Sequence, residues 1–236
     1  MTEAAPTSYD LTDGLATISL DDGKANVFSN ASLEALENHL DQAEADGARA
    51  MLIVGRPGRF SAGFDLAEMT SSTESMRSLV IRGARWWMRL YGMGLPTVAA
   101  CTGHALAGGA LTLLSCDLRI GAEVPAKIGL SEVAIGMPLP AFAVELARDR
   151  LSTTAFTAST MGAQVYDATG AAEVGYLDRV VPEPELIATA TAEARRLGEL
   201  STGAYAATKQ RARRAHITQT LADLEADMAS VEGPTP

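Results

Sequence analysis

The sequence predicts an α/β fold, and three observations carry that expectation. Two short segments, Ala50-Met-Leu-Ile-Val54 and Thr97-Val-Ala-Ala-Cys101, are apolar throughout, the pattern of strands buried on both faces. Segments with helical spacing of apolar residues alternate with them, as crossover connections between strands require. Each strand is followed by a glycine-bearing loop, Phe60-Ser-Ala-Gly-Phe-Asp-Leu66 and Gly103-His-Ala-Leu-Ala-Gly-Gly109. Open α/β sheets bind ligands beyond the carboxyl ends of their strands.

The elements follow in order. The first few residues read as a loose end. Leu15 to Leu20 alternates apolar and polar residues, as a half-buried strand does, and Asp21-Asp-Gly-Lys24 is a turn. Asn30 or Ser32 caps a helix whose apolar positions are Leu33, Leu36, Leu40 and Ala43, and Gly47 ends it. Gly55-Arg-Pro-Gly58 breaks the Ala50–Val54 strand. Glu74 to Tyr91 reads as a helix. Pro96 leads into the second buried strand, and the Gly103–Gly109 loop becomes a helix running to about Ser115. Leu118 to Ile120 resumes strand. Beyond Phe142 the chain turns mostly helical, with a helix end at Gly170 to Gly175 and a short strand from Leu177 to Val181. Two C-terminal helices, Glu183 to Leu200 and Thr202 to Ala229, complete the reading. Residues 1–181 are expected to form the core, and residues 182–236 a helical region of the same single domain.

Composition narrows the function. Of 236 residues, 47% are hydrophobic and 20% charged, which fits a globular protein rather than a disordered one. With 19 Lys and Arg against 29 Asp and Glu, the net charge is −10, a poor match to nucleic acid or an anionic membrane. No apolar run approaches the ~20 residues of a membrane span, and the start has no signal-peptide pattern, so a cytoplasmic protein is expected. Cys101 and Cys116 sit in or beside apolar runs and read as reduced, buried thiols. No Cys/His cluster has zinc spacing, so no metal is expected.

Two glycine loops at neighbouring strand ends are able to aim two backbone N–H groups at one point. The second loop also opens a helix, whose first N–H groups lack partners and whose N-terminus favours negative charge. Convergent donors of this kind form an oxyanion hole. Ordinary strand-to-helix turns are the plainer alternative for each loop alone. Neither has the spacing of a nucleotide loop. Glu132, in Ile128-Gly-Leu-Ser-Glu-Val-Ala-Ile-Gly-Met-Pro138, lies among apolar residues before a Gly/Pro turn. Such a carboxylate is paired, surface-facing or functional. In the functional case, desolvation raises its pKa and suits it to proton transfer near neutrality.

Taken together these segments resemble the crotonase superfamily, the enoyl-CoA hydratases and isomerases, in a branch similar to actinobacterial hydratase-like proteins. The residues that carry the resemblance are Phe60 to Met69, Ala100 to Gly109, Cys116 to Ile120 and Glu132 to Pro138. Lys24-Ala-Asn26, Gly175 to Val181 and the Ala-Ala-Thr-Lys209 stretch match as well. The resemblance implies a spiral of ββα units with a C-terminal helical trimerisation region, an acyl-CoA thioester substrate, and a homotrimer or dimer of trimers. It implies that the thioester oxygen meets the amides of Phe64 and Gly108, and that Glu132 is the acid/base. It places the CoA moiety of the substrate against Ala62 and Leu66, with Lys24, helped by Arg56 and Arg59, toward the phosphates. No cofactor beyond that CoA is implied.

One departure matters. A typical hydratase of the family has a second glutamate three residues after the oxyanion glycine, and here that residue is Leu111, which cannot hold water or move a proton. The expectation is that Leu111 faces the same cavity as Glu132. A single-base enoyl-CoA isomerase is therefore preferred, with a hydratase and a non-catalytic acyl-CoA-binding protein as alternatives. Pro140-Ala-Phe-Ala143 also departs from the usual Gly-rich stretch and is expected to reshape the acyl pocket. Trp86 and Trp87 are placed near it, at least one of them packed in the core. His104, Asp65 and Asp117 read as structural. The basic run Lys209 to Arg214 reads as an exposed or subunit-facing surface.

Overall fold

A computed structural model describes residues 6–232, so residues 1–5 of the expected loose end lie outside the described residues. The main sheet has six strands in the order β1-β2-β4-β7-β9-β11: β1 (Thr7–Thr12), β2 (Leu15–Leu20), β4 (Ala50–Gly55), β7 (Thr97–Cys101), β9 (Leu118–Ala122) and β11 (Arg179–Val181). Between β2 and β4 the chain forms β3 (Val27–Phe28) and α1 (Asn30–Ala45). β1 pairs antiparallel with β2, and the other neighbours are parallel. A small second sheet is built from β5 (Gly58–Ser61), β8 (Gly103–Leu106) and β10 (Ile128–Gly129), and a third from β3 and β6 (Gly63–Phe64).

This arrangement is a spiral. On three successive turns the chain contributes one strand to the main sheet, the next to the small sheet, and then a helix. The pairs β4 and β5 precede α2 (Leu66–Met69) and α3 (Thr73–Gly92); β7 and β8 precede α4 (Gly108–Ser115); β9 and β10 precede α5 (Ala141–Arg150). The ββα units expected from the resemblance are therefore present. The chain continues through α6 (Phe156–Thr160), α7 (Ala168–Val174), α8 (Leu186–Gly198) and α9 (Thr202–Ser230).

The apolar strands are buried on both faces because the main sheet separates two cores. Met51, Ile53, Ala99 and Cys101 face the larger one, with α1 and α3. Their alternates, Ala50, Leu52, Val98 and Ala100, pack against Leu186, Ala190 and Ala194 of α8. Successive residues point to opposite faces, so a wholly apolar run is what such a strand needs. Cys101 and Cys116 are both buried and unpaired, and desolvation pushes each thiol up to about 12.

Three local expectations change. The loose end becomes β1 from Thr7 onward. Its sequence, Thr-Ser-Tyr-Asp-Leu-Thr, is mostly exposed and carries little apolar signal, because an edge strand is held by its ladder with β2. The cap of α1 is Ser29, one residue before Asn30. Its hydroxyl accepts the Ser32 N–H while the Ser32 hydroxyl accepts the Ser29 N–H, a capping box built on two serines. The first half of the Gly103–Gly109 loop is strand β8. A β-carbon at Gly103 would lie 2.2 Å from the Gly58 carbonyl, so only glycine lets β8 approach β5 this closely.

Candidate active site

The two glycine loops meet. Just past β6 the Asp65 N–H donates to the Phe28 carbonyl (3.0 Å), in register with the Phe28–Phe64 pair. Ladder bonds use alternate N–H groups of a strand, so the Phe64 N–H is turned away from β3. Across from it, α4 begins. Its first internal bond is from the Leu111 N–H to the Ala107 carbonyl (2.9 Å), which leaves the N–H groups of Gly108, Gly109 and Ala110 without partners in the helix. The loops touch at Gly63: a β-carbon there would stand 3.2 Å from Gly108 N and 2.8 Å from the Ala107 Cβ. Gly63 also has φ 94°, so both space and backbone call for glycine.

Ala107, the residue before α4, has φ 49° and ψ −115°, a conformation that strains any residue with a β-carbon. All eight residues of α4 are buried. The positive end of its dipole therefore opens into a region of low dielectric, where it acts more strongly than at a wet surface. Behind it, the Trp87 Nε1–H donates to Thr112 Oγ1 (2.9 Å), which donates to the Gly108 carbonyl (2.9 Å).

Beside these loops lies a cavity of about 100 Å3, lined by Ala62, Phe64 and Ala107 from the glycine loops and by Glu132, Met137 and Phe142, among others. Glu132 is 8% exposed, and its Oε2 has no hydrogen-bond partner among the described residues. Desolvation pushes its pKa up to about 7, opposed by its own N–H and that of Ser131. Its backbone carbonyl accepts the N–H groups of Ile135 and Met137, closing a turn through Gly136. The preceding segment is tied down by the Leu130 N–H, which donates to the Tyr176 hydroxyl (3.3 Å).

Of the residues expected from sequence, Ala62, Phe64, Leu66 and Glu132 line this one cavity, and Gly108 begins the helix at its wall. Ala62 and Leu66 are exposed at the mouth. Lys24 is exposed on the turn before β3. Asn26 fixes that turn by donating to the carbonyls of Leu20, Arg59 and Phe60, and the Ala62 N–H reaches the Ala25 carbonyl (3.0 Å). Lys24 thus stands on the Ala62 side of the cavity. Arg56 donates to the Lys24 carbonyl and faces Asp21, while Arg59 is exposed. His104 Nδ1 accepts the Lys127 N–H, and the Asp65 carboxylate accepts the Glu68 N–H as the cap of α2. Both therefore have the structural contacts expected of them.

Two expectations are corrected. Leu111 does not line the cavity; it is 2% exposed and packed in the larger core. Lys209 is not on an exposed face. It is buried against Asp117 (2.8 Å), which also binds Arg213 (2.7 Å) and accepts the Tyr205 hydroxyl. Burial raises the Asp117 pKa, but the two cations outweigh it and hold the carboxyl below its usual range. Sequence reading missed the bracing of Gly108 by Trp87 and Thr112. The Trp-to-Thr separation of 25 residues leaves no local trace of it.

Two amides at one wall and a near-neutral, unpaired carboxylate at another are able to hold a carbonyl oxygen while a proton moves at a neighbouring carbon. That is the chemistry of proton transfer next to a carbonyl or thioester. The enoyl-CoA hydratase/isomerase family model matches residues 10–234. The chain belongs to this family. It is 39% identical over 132 residues to a probable enoyl-CoA hydratase of Bacillus subtilis, covering 55% of this chain and 50% of that protein. It is 29% identical to human mitochondrial enoyl-CoA delta isomerase 1, over 91% of this chain and 72% of that one. Its fold superimposes on the crystal structure of an enoyl-CoA hydratase/isomerase family protein from Pseudomonas syringae. The TM-score is 0.93 and the identity 41%, over 97% of this chain and 99% of that one.

Proposed function

We propose that the protein moves the double bond of an enoyl-CoA thioester between C3 and C2, with Glu132 as its single acid/base. The observation that carries this reading is that, among the described residues, Glu132 is the only titratable side chain lining the cavity. The thioester oxygen sits between the amides of Phe64 and Gly108. The Glu132 carboxylate takes a proton from C2 of the 3-enoyl ester, and the electron pair of that bond delocalises onto the thioester oxygen. The amides, fixed before reaction, stabilise the oxyanion without reorganising; losing one such donor costs ~2.7–4 kcal/mol elsewhere. The same carboxyl returns the proton at C4. Loss and return balance, so the reaction needs no redox cofactor and no metal. The CoA moiety lies along Ala62 and Leu66, with Lys24 toward its phosphates, and the working assembly is a homotrimer or dimer of trimers.

Hydration of a 2-enoyl ester is the second reading, favoured by the 39% identity to the probable Bacillus hydratase. Purified protein is incubated separately with trans-2-enoyl-CoA and 3-enoyl-CoA, and the products are read by mass spectrometry and chromatography. A mass-neutral shift of the double bond supports isomerisation. A gain of one water supports hydration, and neither product with tight ester binding supports a carrier.

A further inference from the structure

We infer that the cavity is a blind pocket closed by Phe142, and that it selects enoyl-CoA esters with short acyl chains, of about four to six carbons. This inference rests on the proposed enoyl-CoA reading and names the substrate class within it.

The lining residues give the pocket a direction. Ala62, Leu66 and Ile135 are exposed and mark the mouth, while Met69, Val80, Met137, Pro140 and Phe142 are buried and form the far end. An acyl chain whose thioester oxygen is held at Phe64 and Gly108 passes Glu132 and then meets that far end. At about 100 Å3 the cavity is well below the roughly 300–1,000 Å3 of pockets that enclose drug-sized ligands, so it has room for a short acyl chain and not for a long one.

Whether a longer chain fits depends on which wall can move. Met69 and Met137 are flexible thioethers that adapt their shape. Phe142 is different. It is 2% exposed and stacks on Trp87 with ring centres 5.9 Å apart and planes 14° apart. Trp87 is fully buried, and the edges of Phe28 and Phe64 pack against it. Its indole N–H is fixed to Thr112, which is fixed in turn to the Gly108 carbonyl. The residue that ends the pocket is thereby braced by the helix that presents one oxyanion amide. Phe142 cannot retreat toward Trp87 unless Trp87 leaves its buried hydrogen bond, which is costly inside a protein. The pocket end and the oxyanion amide share one rigid frame, so chain length is measured from the reacting carbonyl. Interiors packed at crystal-like density do not yield a methylene at a time.

The test uses the intact protein with 3-enoyl-CoA and 2-enoyl-CoA esters of four, six, eight, ten and twelve carbons. Calorimetric binding of the matching saturated acyl-CoAs gives a readout that does not need turnover. The expected result is that kcat/KM, and affinity beyond that of free CoA, peak at four to six carbons and fall at least about tenfold by ten carbons. That drop matches the discrimination of roughly tenfold or more that one misplaced methylene produces in a tight pocket. Phe142→Leu, a mild truncation that keeps an apolar core residue, is expected to raise the ten-to-four-carbon ratio at least about fivefold. Circular dichroism and a melting curve confirm its fold, and Phe142→Met serves if it fails to fold. Undiminished activity of the parent on ten- and twelve-carbon esters overturns the inference. So does a length profile that neither variant shifts. Absence of binding and turnover for every ester overturns the enoyl-CoA reading itself, a result distinct from a flat length profile.

Discussion

Glu132 and Asp117 are both buried carboxylates, and their surroundings have opposite effects. Asp117 has two cations, a phenol and the Thr97 N–H and hydroxyl around it, and its pKa is held down. Among the described residues, Glu132 has an orphaned oxygen and no cation in its cavity, and its pKa is raised to about 7. Burial of a charge is expensive, and a protein tolerates it either by pairing the group or by letting it take up a proton. The paired carboxylate fastens α9 to the core. The unpaired one is left able to exchange a proton with something that enters the cavity.

The comparison breaks most sharply by substitution at the two carboxylates. Glu132→Gln keeps shape and hydrogen-bonding reach but cannot take a proton. Turnover is expected to fall by roughly 10²–10⁴-fold, the range for a general acid–base group. CoA-ester affinity, read by calorimetry, should change little. A variant that turns over at the parent's rate removes Glu132 from the chemistry. Asp117→Ala should do the reverse. It strands Lys209 and Arg213 in a buried site and is expected to cost about 3–5 kcal/mol of stability in denaturant titrations. Activity per folded molecule is expected to stay near the parent's.

Stability against pH separates the two by sign. Glu132 has a folded pKa near 7 against the ordinary glutamate value of 4.5, so between these pH values the folded state holds a proton that the unfolded state has lost. Its contribution to stability therefore falls as pH rises from 4.5 to about 7, by on the order of 3 kcal/mol. Glu132→Gln should abolish that slope and be the more stable protein at pH 8. Its ionised form is the proposed base, so kcat/KM of the parent should rise through pH 7. Asp117 has a depressed folded pKa. Its stabilisation is present above the ordinary aspartate range and is lost as pH falls through the folded value. The smallest effect is at Tyr205. Tyr205→Phe removes one of several bonds to Asp117 and should cost about 1.5 kcal/mol. A larger loss in thermal or denaturant melting means that the cations alone do not hold α9.

Glu132 was legible in sequence because an acid inside Gly-Leu-Ser-Glu-Val-Ala-Ile-Gly is conspicuous, and the family resemblance gave it a role. The buried strands were legible for a similar reason: a strand apolar at every position has few other uses. The Asp117 cluster was not, because Lys209 is 92 residues away and a basic run on a helix looks the same whether it meets water or a carboxylate. β8 was hidden because Gly-His-Ala-Leu has no strand pattern; its pairing depends on the fit of Gly103 against Gly58. Leu111 shows the limit of counting along a helix. One turn from Gly108 suggested the cavity, but the wholly buried α4 presents apolar neighbours on every side, and the cavity takes its wall from Ala107.

The burial of α4 has a consequence for how the protein meets dissolved salt. Ions in the surrounding solution screen exposed charges over about 8–10 Å but do not enter a packed interior. Lys24, on its exposed turn, belongs to the screened world, and α4 to the unscreened one. In the proposed reading, capture of a ligand's phosphates by Lys24 and stabilisation of charge at its reacting oxygen by α4 are therefore governed by different variables. A rise in ionic strength is expected to loosen the first and leave the second nearly untouched.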